Sequence, residues 1–254
     1  MRVLGLILFA LWLSFSPVRA QENAPSDYRY QLDQYRRHYA EYQVYKTDFL
    51  NHQTLNNEQT AILAAKQAII ARELAKANFH LSLIPPLKAL SLDQPIVERT
   101  ISNLEKVASF HQSQSLAAQS ITVKSDLTNF SLNYLKELPE RNTIADAAYL
   151  NLKLAVLIRY QEEAKRAFDS ILSKLKPRQD LVSVKNGLSQ IETLANQINQ
   201  KITALISGSD SLKTGDYNSK QFYDQSVETL TEIQSLQLKL VNLIIELDTN
   251  YVPH

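Results

Sequence analysis

The chain has no cysteine, one methionine, one tryptophan and only four glycines in 254 residues. Without cysteine no disulfide can support it in an oxidising compartment, so its stability has to come from an apolar core. Its glycines are Gly5, Gly187, Gly208 and Gly215. That scarcity excludes glycine-rich phosphate loops and dinucleotide fingerprints, whose turns need glycine for close backbone approach. It also argues against a sheet-rich fold with many tight turns. Charge of one sign is missing as well. Lys and Arg number 27 against 26 Asp and Glu, a net of +1, so no strong field draws nucleic acid or anionic lipid. Nucleophilic catalysis has no signature: there is no cysteine, no Gly-x-Ser-x-Gly elbow and no supported Ser-x-x-Lys.

What is present begins with MRVLGLILFALWLSFSPVRA, residues 1–20. Arg2 supplies a positive start, and Val3 to Phe15 is apolar apart from Gly5 and Ser14. Pro17 then breaks the helix, and Val18 and Ala20 stand at the −3 and −1 positions of a cleavage site. The run is short for a membrane span of about 20 residues, so a signal peptide cleaved after Ala20 is expected, with an uncleaved N-terminal anchor as the alternative. Removing Arg2 and Arg19 leaves 25 basic and 26 acidic residues, a net of −1 for the mature chain.

The remainder is rich in Ala, Leu, Gln, Lys, Glu and Asn, which favour helices. DYRYQLDQYRRHYAEYQVYKTDF, 27–49, holds six tyrosines and a phenylalanine. Tyr28, Tyr35, Tyr42 and Phe49 recur every seven residues, with Leu32, Tyr39 and Tyr45 between them. This makes a stripe about 140° wide on a helix from roughly Ser26, its candidate N-cap, to His52. A second helix, with Asn56 and Gln59 as a capping box, carries Leu63, Ile70, Leu74, Ala77, Leu81 and Ile84 inward. Pro85-Pro86 kinks or stops it, leaving a short remnant to about Leu90. Asp93 before Pro95 opens a third helix with Val97, Ile101, Leu104 and Ala108 on one face. The uncharged HQSQSLAAQS, 111–120, reads as a linker or a fraying helix end. A fourth helix carries Val123, Leu127, Phe130, Tyr134 and Leu138 and ends at Pro139, and a fifth runs from Thr143 to Leu175. Within the fifth, AYLNLKLAVLI (148–158) is apolar nearly all round but for Asn151 and Lys153. The sixth has the cleanest seam: Leu181, Val184, Leu188, Ile191, Ala195, Ile198, Ile202 and Leu205. After a loop at 207–219, the seventh turns Leu230, Ile233, Leu240, Ile244 and Leu247 inward. No stretch alternates with period two. The expected fold is all-α, an antiparallel bundle of about seven helices with coiled-coil-like seams. Its expected organisation is a signal peptide (1–20), an N-terminal helical hairpin plus third helix (21–110), a linker (111–122) and a C-terminal bundle (123–254), which allows two sub-bundles.

Few residues suggest chemistry. His38 and Glu41, then Asp48 and His52, flank the tyrosine stripe, but a di-metal bundle needs Glu-x-x-His on two helices and that order is absent. They read as exposed charge. His111 follows Ala108 on the third helix and is a candidate ligand or base. Beside a linker it reads as a cation capping a helix C-terminus. His80 has no acidic partner close in sequence, and Glu162 and Glu163 point about 100° apart, as a solvated patch does. Arg36 and Arg37 among tyrosines are a poor footprint for single-stranded nucleic acid. Asp33 and Glu41 offer Arg37 ordinary ion pairs. The tyrosines remain. They are expected to form a packing seam, with Tyr35, Tyr39 and Tyr42 largely buried; the alternative is that Tyr35, Tyr39, Tyr42 and Tyr45 form a binding surface for a glycan or partner helix.

DQYRRHYAEYQVYKTDFL and, after a polar turn, NNEQTAILAAKQAIIAREL resemble a group of uncharacterised exported all-helical proteins from small-genome, candidate-phylum bacteria. The likeness covers residues 27–80. It implies an extracytoplasmic, all-helical protein and carries no functional residues across.

The expected function is therefore that of a non-enzymatic bundle with a structural or protein- or glycan-binding role at the cell envelope. It would need no cofactor or metal, no nucleic acid, and no membrane span after cleavage. The alternative is an extracytoplasmic bundle that senses or carries a small molecule between its helices. Mass spectrometry of secreted or envelope material should find an N-terminus at Gln21. A mature chain that still starts at Met1 favours the anchor instead.

Overall fold

A computed structural model describes residues 24–90, 95–211 and 219–252. The expected signal peptide, Asp93 and residues 212–218 of the expected loop lie outside the described residues. Among those that are described, the chain is almost wholly helical and contains no strand. The elements are α1 (Ala24–Asn51), α2 (Leu55–Ser82), α3 (Ile84–Ala89), α4 (Pro95–Ala118), α5 (Lys124–Leu175), a 3-10 turn (Lys176–Arg178), α6 (Val182–Ser211) and α7 (Ser219–Tyr251). No helix among these residues is long and apolar enough to cross a membrane.

Local chemistry sets the boundaries. α1 begins at Ala24, so Ser26 sits inside the helix and is not its cap. The chain turns through residues 52–54, where the Thr54 hydroxyl accepts from the Asn57 amide at 3.2 Å. Thr54 thus caps α2, in place of the expected Asn56. Pro85 and Pro86 occupy the first turn of α3, where a missing N–H costs nothing. The α4–α5 turn is tied by Asp126, which accepts from the Thr122 amide (2.9 Å), the Thr122 hydroxyl (2.9 Å) and the Val123 amide (3.1 Å). Those bonds hold its carboxyl below the ordinary range.

Three expectations fail here. The linker at 111–120 is helical as far as Ala118. His111, Ser115 and Ala118 continue the buried face of Thr100, Leu104 and Val107, so tertiary packing holds a stretch with little charge or local signal. The expected fourth and fifth helices are one helix of 52 residues, with Pro139 inside it. A proline there leaves the carbonyl of Leu135 without its helical donor, but Leu135 is on the solvent side, where water can serve it. Tyr134, Thr143, Ala145 and Ala148 are buried on either side of the proline, and their packing carries the helix through. Third, Leu63 is 57% exposed. Ala77, and Ile84 at the start of α3, are buried as expected, but the other buried positions of α2 are Ala61, Ala64, Ala65, Ala68, Ala71 and Ala75, with Ile62, Glu73 and His80.

α5 is the shared element. Its earlier part packs with α4 and α2, and its later part with α7 and α6. The main core joins Leu150, Leu154, Leu157 and Leu175 of α5 to Ile191, Ile198 and Leu205 of α6 and to Ile233, Leu240 and Ile244 of α7. All five inward positions expected of the seventh helix are buried, and so are Val184, Ile191, Ile198, Ile202 and Leu205 of the sixth. Leu181 is exposed, because it precedes α6. Asn151 is buried within the apolar run, whereas Lys153 is exposed and lays its amine 5.3 Å from the centre of the Tyr223 ring. Arg99 of α4 pairs with Asp210 of α6, and Lys201 of α6 with Glu232 of α7 at 2.6 Å.

The α6–α7 seam is tight at Gly187, where a Cβ would stand 2.8 Å from the buried Leu247 Cδ2 and 3.3 Å from its Cγ. Gly-to-Ala inside a helix ordinarily gains about 1 kcal/mol. Overpacking costs about 1–3 kcal/mol. We expect Gly187→Ala to lower stability by roughly 1 kcal/mol in urea unfolding. A gain in stability would show that Leu247 swings aside freely and that the seam is loose there.

Candidate binding face and buried polar cluster

α1 meets the rest of the chain mainly through α2. The two are joined by the short turn at 52–54, and Tyr28 near the start of α1 reaches Phe79 near the end of α2, ring centres 5.4 Å apart. On α2, Ile62, Ile69, Glu73, Lys76 and His80 share one side, which meets α4 and α5. Ala61, Ala64, Ala68, Ala71 and Ala75 lie roughly 140° round the helix from them. They share that side with Phe79 and so underlie α1.

Tyrosines on an alanine surface cannot be fully enclosed, because a methyl group builds no wall beside a ring. The expected burial of the stripe is therefore corrected. Tyr35 and Tyr42 are half-buried, while Tyr39 is 46% and Tyr45 41% exposed. Tyr30 is exposed too. Tyr35, Tyr39 and Tyr42 form a chain of tilted rings with centres 5.8 and 6.3 Å apart, and Lys46 extends it from 5.9 Å over Tyr42. Two close polar contacts lie beside the strip. Asp33 pairs with Arg36 at 3.3 Å and Glu41 with His38 at 3.1 Å, so the pairs expected with Arg37 do not form. Among the described residues, no group of three or more acidic or histidine side chains is placed to hold a metal.

The second feature lies on the other side of α2. Glu73 is fully buried and His111 of α4 nearly so. His111 Nδ1 donates to Glu73 Oε2 at 2.6 Å, and Arg72 Nε donates to Oε1 at 2.7 Å. Burial pushes the Glu73 carboxyl up. The His111 hydrogen bond and the charges of Arg72, Lys76 and His111 outweigh it, so the net displacement is downward and Glu73 is a carboxylate. Lys76 Nζ donates to the Tyr134 hydroxyl at 2.9 Å, and Arg72 and Lys76 both lie over the Tyr134 ring, at 5.1 and 5.6 Å. Arg141 covers Phe110 at 5.2 Å. His80 stacks on His111 at 5.5 Å and exchanges a hydrogen bond with Tyr149 of α5 at 2.7 Å. Burial, with the charge of Asp146 and the field of Tyr223, pushes the Tyr149 hydroxyl up to about 12.

The reading of His111 as a capping cation is thus wrong, because its helix runs on to Ala118 and buries it. Glu73 went unnoticed in the sequence. It lies three and seven residues from Lys76 and His80 within an alanine-rich helix, and that placement is the signal that could have found it. Two open grooves lie elsewhere. One, of about 520 Å³, is open between α6 and α7 beside Thr193, Gln197, Asn242 and Glu246. The other, of about 500 Å³, runs along Asn196, Gln200 and Thr203 of α6.

No protein-family model matches the chain, and neither a curated protein nor a solved structure is similar to it.

Removing one partner from a buried charge pair typically costs about 3–5 kcal/mol. Glu73→Ala strips His111, Arg72 and Lys76 of their shared counter-ion. We expect that loss of stability in urea unfolding, and a smaller one for Glu73→Gln, which still accepts from His111. A Glu73→Ala variant within about half a kcal/mol of wild type contradicts a structural role for the cluster.

Proposed function

We propose that this is an exported, non-enzymatic helical protein with a structural or binding role at the cell envelope, and that the tyrosine face of α1 is its grip on a protein or cell-surface glycan. The observation that carries the reading is the exposure of Tyr39 and Tyr45, with Tyr39 at the centre of the Tyr35–Tyr39–Tyr42 chain of rings. A tyrosine that is half wet offers a rigid apolar ring and a hydroxyl together, the combination favoured at recognition surfaces. Over residues 27–49 four Lys and Arg residues stand against four Asp and Glu, so recognition would rest on stacking and hydrogen bonds rather than on net charge. The reading of 1–20 as a signal peptide and the likeness of 27–80 to exported helical proteins support the location. We read the architecture as an antiparallel bundle of about seven helices with coiled-coil-like seams, supported by the Tyr28–Phe79 contact and the heptad spacing of α6 and α7.

A non-enzymatic role fits the buried ionisable groups, which answer one another inside the core. The carrier alternative needs an enclosed apolar pocket with a few polar groups. The grooves along α6 and α7 are instead open to solvent.

A Tyr39→Ala, Tyr45→Ala double variant separates binding from packing. At exposed positions each change should alter stability by about half a kcal/mol or less. We expect an unchanged urea midpoint together with lost co-sedimentation with isolated cell envelopes. Retained co-sedimentation, or a loss of several kcal/mol in stability, sinks the reading.

A further inference from the structure

His80 has one hydrogen-bonding state open to it. Its Nδ1 lies 2.6 Å from the carbonyl oxygen of Lys76, which can only accept, so Nδ1 carries the ring proton. Nε2 is then an acceptor, and the Tyr149 hydroxyl donates to it at 2.7 Å. A second proton on His80 would set two donors against each other across that contact. Tyr149 could answer only by turning to accept, which strands its own proton in a half-buried site. The added charge would also enter a site already rich in cations. Arg72 and Lys76 of α2 lie beside it with Glu73 as their counter-ion, His111 of α4 stacks on it, and Arg141 of α5 covers Phe110, whose edge meets His111. Tyr134, Asp146 and Tyr149 complete the α5 side, with Tyr223 of α7 acting on Tyr149. Phe79 touches His80 at 5.5 Å, Tyr149 at 6.1 Å and Tyr28 of α1 at 5.4 Å, so the site is in contact with the start of α1 as well.

We propose that His80, Tyr149, His111 and Glu73 form an acid-sensitive latch: neutral His80 ties α2 to α5, and a proton on His80 releases the α1–α2 pair from α5. This does not depend on what α1 binds.

Burial holds His80 down to about 4, against an ordinary 6.5; the bond to the Lys76 carbonyl opposes that shift, and the fields of His111 and Lys76 reinforce it. The folded value lies below the unfolded one. The unfolded chain therefore binds more protons between the two, and stability falls as pH is lowered through that window. Glu73 is held below its ordinary 4.5, so its own contribution is lost only at lower pH still. The range from pH 6.5 to 4.5 thus isolates His80 from Glu73.

The test compares melting temperatures of the full chain and of His80→Gln at pH 7 and pH 4.5. Wild type should lose roughly 5–10 °C more than the variant over that step. Equal losses overturn the latch. Should His80→Gln fail to fold, amide exchange of wild type decides. Amides of α2 near His80 should lose protection between pH 6.5 and 4.5 before those of α6 and α7. Simultaneous loss everywhere, or none in α2, overturns it.

Discussion

The hydrogen bond between His111 and Glu73 constrains the whole N-terminal half. A carboxylate with no access to water has to be answered by donors and cations from the protein, or it costs several kcal/mol. Each answering group then needs its own partner. Arg72 and Lys76 spread their charge over the Tyr134 ring, Lys76 also donates to the Tyr134 hydroxyl, and His80 in the next turn is held by Tyr149. One charge on α2 thereby determines where α4 and α5 lie, and it requires α5 to remain a single helix from Tyr134 to Tyr149.

That requirement follows from how little the surrounding apolar contacts specify. On the side of α2 that meets α4 and α5 the buried apolar contact is small, Ile62 against Ala118 and Ile121 with Ile69 beside them, so shape alone would only weakly oppose a slip along the helix. Polar groups with fixed donors and acceptors do not tolerate such a slip, which is the best-attested use of a buried polar residue in a helical seam. The α6–α7 half works differently. Its isoleucines and leucines interdigitate, and Gly187 admits Leu247 at a distance no other residue allows, so shape specifies register there.

The same difference explains what could be read from the sequence and what could not. The inward faces of α6 and α7 were legible almost residue by residue, because large aliphatic side chains at heptad spacing have no other stable place. The all-helical class was legible from composition. α2 misled because most of its buried positions are alanines: Leu63 faces water while Ala61 and Ala64 are covered. A pattern weighted by hydrophobicity cannot see a face selected for smallness. Pro139 misled because a local rule was overridden by packing on both sides of it. The buried cluster stayed hidden because Glu73 and His111 are 38 residues apart and each looks like ordinary surface charge on its own helix.

The tyrosines of α1 lie at the meeting point of these constraints. An alanine surface lets α1 approach α2 closely but gives its rings nothing to sink into, so they lean along the helix onto one another. A leucine at the same positions would expose apolar surface with no polar end to satisfy water, whereas tyrosine keeps a hydroxyl at the edge. Burial of the stripe would need a second helix outside α1, and among the described residues α1 packs mainly on α2. The face is therefore stable as it stands and still able to gain by being covered, a condition that suits a reversible contact better than a core.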